Sequence, residues 1–362
     1  MSCSNETKYA GRPNVKAYIN QTRTKYMILF CLFIIMVLIS LVAIGAGAAN
    51  VSPFEAFAAL FGLESGIARL VVWNLRLPRV LAGIIAGAGL SIAGCVMQTC
   101  LRNPLASPST LGISNAAAFG ANIAIVFFGA GTMRSSATDA ITIGNPYIVT
   151  IMAFIFSMGA MGMILLLAQF ARFSPESVVL AGVAFGSLFS AGSALIQYFA
   201  RDTQIVAMVF WTFGDLGRVT WQELGILTLL VSICIIYFMV KRWDYNSLDS
   251  GEDTALSLGV NVTRTRLLAM FAASLITSVA VAFMGIIGFI GLIGPHIMRM
   301  ILGVDHRFLI PASVLAGAVL LIFSDTMART MISPVVLPVG AITSFFGAPL
   351  FLFILMRRYT KR

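Results

Sequence analysis

Few residues in this chain have the types and spacing that chemistry needs. Its 362 residues include two histidines, His296 and His306. Asp305-His306-Arg307 is the one place where an acid, an imidazole and a cation adjoin, as general acid–base catalysis would require. Adjacent charges between two apolar runs read more simply as a connection between helices. The cysteines Cys3, Cys31, Cys95, Cys100 and Cys234 lack metal-ligand spacing and read as small apolar packers. No phosphate-binding Walker A loop, HExxH helix or serine–histidine–aspartate grouping occurs. The expectation is a chain that is not an enzyme and holds no cofactor or metal. Guanidinium forks suit carboxylates, and Arg76, Arg79 and Arg329 beside apolar runs could pair with them; each one reads equally well as an arginine snorkelling at the membrane interface. Arg329 also has Asp325 one helical turn before it.

A second polar constellation is Ser250-Gly251-Glu252-Asp253-Thr254-Ala255-Leu256-Ser257-Leu258-Gly259-Val260. Ala255, Leu256, Leu258 and Val260 among polar neighbours give the pattern of a short amphipathic helix. A third is the turn Leu101-Arg102-Asn103-Pro104-Leu105-Ala106-Ser107-Pro108 between two apolar runs.

The elements that must position these residues are membrane spans. The chain is 59% hydrophobic and 10% charged, against roughly 25% charged residues in a soluble domain. Its apolar runs approach the ~20 residues that cross a bilayer as a helix. Backbone groups in hydrocarbon must be bonded within the segment, and continuous rather than alternating apolar runs exclude a barrel. The fold class is therefore all-α, a polytopic membrane protein with about ten spans, placed at 26–47, 80–100, 111–130, 147–170, 178–199, 224–241, 267–286, 288–303, 309–325 and 338–356. The glycines between 285 and 294 leave open whether one helix or two lie there. Gly83 and Gly87, and Gly182 and Gly186, make small-residue faces for close helix packing.

The net charge of +10 does not point to nucleic acid, because the cations cluster beside spans. Lys8, Arg12, Lys16, Arg23 and Lys25 precede the first span; Lys241, Arg242, Arg264 and Arg266 flank later ones; Arg357, Arg358, Lys361 and Arg362 end the chain. An even number of spans with a basic start and end places both termini in the cytoplasm of a multi-pass membrane protein. Residues 1–25 form a cytoplasmic N-terminal segment, 26–362 the transmembrane domain, and 242–266 its longest cytoplasmic loop. Arg76, Arg79 and Arg329 then fall outside, against the positive-inside trend. No span carries an unpaired acid or lysine at depth, which argues against an ion-coupled secondary transporter. Gln98 is expected to make an interhelical hydrogen bond. Residues 203–217 are expected to form a short amphipathic outer helix, with Trp211 at the membrane interface.

Four stretches resemble the FecCD or BtuC-like family, the permease subunits of ABC importers for iron-siderophore, haem and cobalamin complexes. They are Arg76-Leu77-Pro78-Arg79; Gln98 with Arg102-Asn103-Pro104-Leu105-Ala106 and Leu111-Gly112; the 250–260 stretch; and a nearly continuous match over 289–352 that includes GFIGLIGPHIMRM, Asp305-His306-Arg307, Ser324-Asp325-Thr326-Met327-Ala328-Arg329 and LPVGAITSFFGAPLF. The resemblance implies a BtuC-like (type II) fold of ten-span subunits. It implies a homodimer with the pathway on its two-fold axis, two ATPase subunits that bind the ATP on the inside, and a solute-binding protein outside. It makes 242–266 the coupling loop, with Gly251, Glu252, Ala255, Leu258 and Gly259 meeting the ATPase. It makes Arg76, Arg79 and Arg329 docking residues for the binding protein. It places an inner gate at Ser174, Pro175 and Glu176, where some relatives carry small hydroxyl residues. Iron-siderophore is the leading cargo, then haem and cobalamin, moved by alternating access.

Overall fold

The computed structural model describes residues 15–47, 51–64, 66–129, 145–170, 174–332 and 335–359. Lys8, Arg12, Phe173 and nearly all of the 131–146 loop lie outside these. Within them the chain is helical, in the order α1 (Val15–Gly45), α2 (Pro53–Leu60), α3 (Ile67–Val71), a π-helical turn (Val72–Arg76), α4 (Leu77–Cys100), α5 (Ile113–Phe127), α6 (Pro146–Phe170), α7 (Pro175–Phe199), α8 (Asp202–Thr212), α9 (Trp221–Val240), α10 (Arg242–Ser250), α11 (Glu252–Ser257), α12 (Val262–Met284), α13 (Ile290–Leu302), α14 (His306–Thr330) and α15 (Val339–Tyr359). Every expected span coincides with a helix. Seven are long and apolar enough to cross a membrane, and Ile113–Phe127, Ile290–Leu302 and Val339–Phe353 are shorter apolar helices.

Local chemistry sets the helix ends. Ser52 and Glu55 form a reciprocal capping box at α2, and Thr220 with Glu223 does the same at α9. Asn261 caps α12 and Asp305 caps α14. The connection at 285–289 resolves the open question of one helix or two. Gly285 (φ 79°) stops α12, and Phe289 (φ 64°) starts α13 from the left-handed region.

The second span begins earlier than its expected start at 80. Helix runs without interruption over Ile67–Cys100, 34 residues, or ~51 Å at 1.5 Å per residue, longer than a ~30 Å hydrocarbon core. The long α4 is the axis of the bundle, packed by α14, α12, α13 and α9. Glycine makes this possible. A Cβ on Gly87 would meet the Gly317 carbonyl of α14, and one on Gly94 the Gly291 backbone of α13. Gly182 and Gly186 of α7 rest in the same way on Leu111 and Gly112 at the start of α5. Helix α8 departs from its expectation. Trp211 is buried, not interfacial, because α8 packs against α5 and inserts the indole beside Ala117, Val281 and Ala282.

Candidate functional site

Polar side chains gather at the two ends of the bundle. At one end Asp325 of α14 sits between two arginines. Arg79 Nη2 lies 2.8 Å from it and 3.0 Å from Asp215, and Arg329 Nε lies 3.0 Å from the other Asp325 oxygen. Arg329 also donates to the carbonyls of Ala43 (3.1 Å) and Ala46 (2.9 Å), and Arg76 to those of Ile44 (2.9 Å) and Gly45 (3.2 Å). These carbonyls are the unpaired C-terminal acceptors of α1, so the two guanidiniums cap that helix. The π-helical turn ends at Arg76, which is buried against the end of α1.

The three arginines singled out from sequence are thus brought together, but inside the fold. Arg76 and Arg329 are 4% and 6% exposed, and the Arg79 side chain is 13% exposed. An exposed ring of docking charges does not match this placement. Burial draws the guanidiniums to Asp325 and to the α1 carbonyls, because a desolvated cation needs a partner. The Asp325–Arg329 pair was legible as an i,i+4 spacing. Asp325 as the shared partner of Arg79, and Asp215 beside it, were missed.

At the other end, the 242–266 segment folds as two short helices joined at Gly251, whose φ of 130° disfavours any side chain. Its two halves are tied to the spans by separate ion pairs. Glu252 Oε2 of α11 meets Arg266 Nη2 of α12 at 3.2 Å, and Arg266 Nε donates to the Cys100 carbonyl at the end of α4 (3.1 Å). Asp249 of α10 meets Arg299 of α13 at 3.2 Å, and Arg299 donates on to Thr99 of α4 (2.9 Å). Burial raises the Asp249 carboxyl above the ordinary carboxylate range, and neighbouring Arg299 and Arg102 only partly offset it.

Thr99 then contacts His306 (2.9 Å), whose other ring nitrogen faces Asn246 of α10 (2.9 Å). Arg102, held at φ 46° in the turn after α4, donates to the Leu248 carbonyl (3.2 Å). In the same turn the Asn103 and Ser107 side chains accept from the Leu105 (2.9 Å) and Thr110 (3.2 Å) amides. The ordered turn expected at 101–108 is therefore a brace between α4 and α10. Asp305-His306-Arg307 is a connection, with Asp305 capping α14 and His306 fully buried.

The residues expected at the coupling loop divide by exposure. Ala255 is buried and anchors α11, while Leu256 and Leu258 are 57% and 66% exposed. Gly259 (φ 80°) turns the chain toward α12, with open space around it. Leu256, absent from the sequence-derived set, shows the larger apolar surface that Ala255 lacks. The His296 ring lies 5.8 Å from that of Phe351, while Arg299 turns to Asp249 and Thr99. Gln98 reaches the Leu292 carbonyl across the α4–α13 contact (3.4 Å). Ser174 caps α7, with Pro175 in its first turn and Glu176 on the favourable side of the helix dipole. Pro175 and Glu176 thus have a local reason to replace hydroxyl residues. Beside them along α7, Gly182, Gly186, Ser187 and Ser190 face Thr110 and Asn115 across a groove lined by small and weakly polar groups.

Residues 32–357 match the FecCD transport family. The chain belongs to this family. Among FecCD-type relatives, an ABC transporter permease protein of Methanocaldococcus jannaschii is 54% identical, with 94% of this chain and 97% of that one covered. The hemin transport system permease protein of Yersinia pestis is 35% identical over 90% of this chain and 95% of its own. A solved metal-chelate type ABC transporter in an inward-facing conformation superposes with a TM-score of 0.77 at 29% identity, covering 92% of this chain and 99% of that one. The all-helical FecCD fold expected from sequence is the fold observed.

Proposed function

We propose that this FecCD-family chain is the membrane-spanning half of an ABC importer for a metal-chelate solute, working as a homodimer with two ATPase subunits and an extracytoplasmic binding protein. The similarity to a hemin permease and to a metal-chelate type transporter supports the cargo class. Within it a ferric siderophore ranks first and haem or cobalamin next. The groove along α7, lined by small and weakly polar side chains, suits a bulky complex passed on by alternating access rather than held by dedicated ligands. Ser174, Pro175 and Glu176 at the start of α7 are the proposed inner gate.

The single observation that carries the reading is the α10–α11 element. It shows Leu256 and Leu258 to solvent while ion pairs run from it to α12, α13 and, through Arg266 and Arg299, to α4. An apolar surface braced in this way can receive an ATPase and pass its movement to the spans. In this reading the α10–α11 end and both termini face the cytoplasm. Gly251 and Gly259 set the turns, Ala255 anchors the helix, Glu252 holds it to Arg266, and Leu258 with Leu256 makes the contact.

At the opposite end the arginine cluster supports the docking face from beneath. Arg76, Arg79 and Arg329 fix the ends of α1, α4 and α14, on which the binding protein would rest. No ATP site is assigned to this chain; ATP hydrolysis belongs to the partner. The test is uptake into proteoliposomes that hold the chain, its ATPase and its binding protein, with ferric siderophore, haem and cobalamin as cargoes. ATP-dependent accumulation of one of them is the expected result. A folded, ATPase-bound complex that accumulates none of the three would overturn the cargo class.

A further inference from the structure

We infer that the end of the bundle where α1, α9, α10 and α14 meet is a binding site for the phosphate headgroup of an anionic phospholipid, held by Lys25, Arg242 and Arg307. The site is built around two aromatic rings. Lys25 Nζ lies 5.1 Å from the centre of the Phe308 ring, and the Arg307 guanidinium lies 5.5 Å from the same ring. Arg307 also lies 5.2 Å from the Trp243 ring, and Arg242 lies 6.0 Å from it. Three cations from three elements therefore crowd two rings.

Their charge is not balanced locally. Asp305 serves Arg307 at 2.7 Å, and Asp244 serves the neighbouring Lys241 at 2.8 Å. Asp249 is taken by Arg299. Among the described residues Lys25 and Arg242 pair with no carboxylate; Arg242 places one N–H on the Met239 carbonyl (2.9 Å) and keeps its other donors. Ring quadrupoles attract cations only weakly at exposed positions, so gathering like charges here is favourable chiefly when an anion joins them.

Position selects the kind of anion. The cluster sits at the ends of three apolar helices, at the start of the Tyr18–Gly45 and His306–Thr330 spans and the end of Trp221–Val240. Lipid headgroups lie beside the ends of apolar helices of this length. Tyr18, Tyr26 and Trp243 are 55%, 61% and 54% exposed and supply the amphipathic rings that favour this depth. One step further along α1, exposed Met27 and Phe30 offer an apolar bed for acyl chains, which a free phosphate would not use. Basic groups beside a span bind anionic leaflets through this chemistry. The site touches α10 directly through Trp243, but its existence does not depend on the transport reading.

The test is native mass spectrometry of the full chain in mild detergent, with phosphatidylglycerol, phosphatidylcholine and inorganic phosphate as separate probes. The wild type should retain phosphatidylglycerol at least ~10-fold over phosphatidylcholine. Lys25→Gln with Arg242→Gln should reduce that preference below ~2-fold with the size-exclusion profile unchanged. Lys241→Gln, which removes a charge already paired with Asp244, should leave it intact. Equal retention of both lipids, an undiminished preference in the double variant, or the same loss in Lys241→Gln would overturn the site. Retention of inorganic phosphate in place of the lipid would overturn the lipid assignment.

Discussion

Arg266 of α12 lies 3.2 Å from Glu252 of α11 and at the same time donates to the Cys100 carbonyl of α4 (3.1 Å). One buried side chain therefore joins a surface element to two helices of the bundle. Glu252→Gln should leave Arg266 its carbonyl partner, keep the fold and any bound ATPase, and lower transport per ATP hydrolysed severalfold. Arg266→Met should do more, since it also strands the Cys100 carbonyl, a loss of about 1–3 kcal/mol. Thermal melting and a transport-to-hydrolysis ratio separate the two variants.

Asp325 is the shared counter-charge of Arg79 and Arg329. Asp325→Asn leaves two buried guanidiniums short of a carboxylate and should destabilise the protein by about 3–5 kcal/mol, the range for breaking a buried pair. Asp215→Asn removes a carboxylate that is 41% exposed and should cost much less. Melting temperatures of the two variants in the same detergent check the ranking.

The α4 contacts leave no room for side chains. Gly94→Val would drive a branched side chain into the Gly291 backbone, and Gly87→Val into Gly317. Each should destabilise by at least the ~1–3 kcal/mol typical of overpacking. Gly159→Val and Gly225→Val, where nothing stands within 4 Å of an added Cβ, should not. Yield of monodisperse protein after size exclusion reads this directly.

These outcomes also mark what was legible in the sequence. The ten apolar helices could be read because span length and apolar continuity are local properties. So could the 101–108 turn and the Asp325–Arg329 spacing. The inward turn of Arg76 and Arg79 could not, because it depends on where the end of α1 lies. Nor could the pairing of Glu252 with Arg266 or of Asp249 with Arg299, which joins residues brought together only by packing. Trp211 looked interfacial from its surroundings in sequence, and α5 buried it. Leu256 and Ala255 are adjacent apolar residues, and only the rotation of α11 shows which of them faces out.

Asp305 titrates in a defined direction. Burial pushes its carboxyl up, but the hydrogen bonds from Arg307 and Asn246, with the charge of Arg307, outweigh this and hold it below the usual carboxylate range. Its contribution to stability is therefore complete above the ordinary value near ~3.9 and is lost as pH falls through the lowered folded value. The melting temperature of the wild type should exceed that of Asp305→Ala at pH 6, by an amount fitting a lost N-cap of about 1 kcal/mol. The two should converge as the pH is taken below ~4. A gap that persists unchanged at low pH would contradict the assignment.

Whether the exposed face of α11 receives the ATPase is read by co-purification. The chain is expressed with its cognate ATPase as wild type and as Leu258→Asp, a change at a side chain 66% exposed that disturbs no internal pair. The ATPase is expected to stay with the wild type in mild detergent and to be lost from Leu258→Asp, while the variant keeps its melting temperature. An ATPase retained equally by both, on a folded variant, would contradict it.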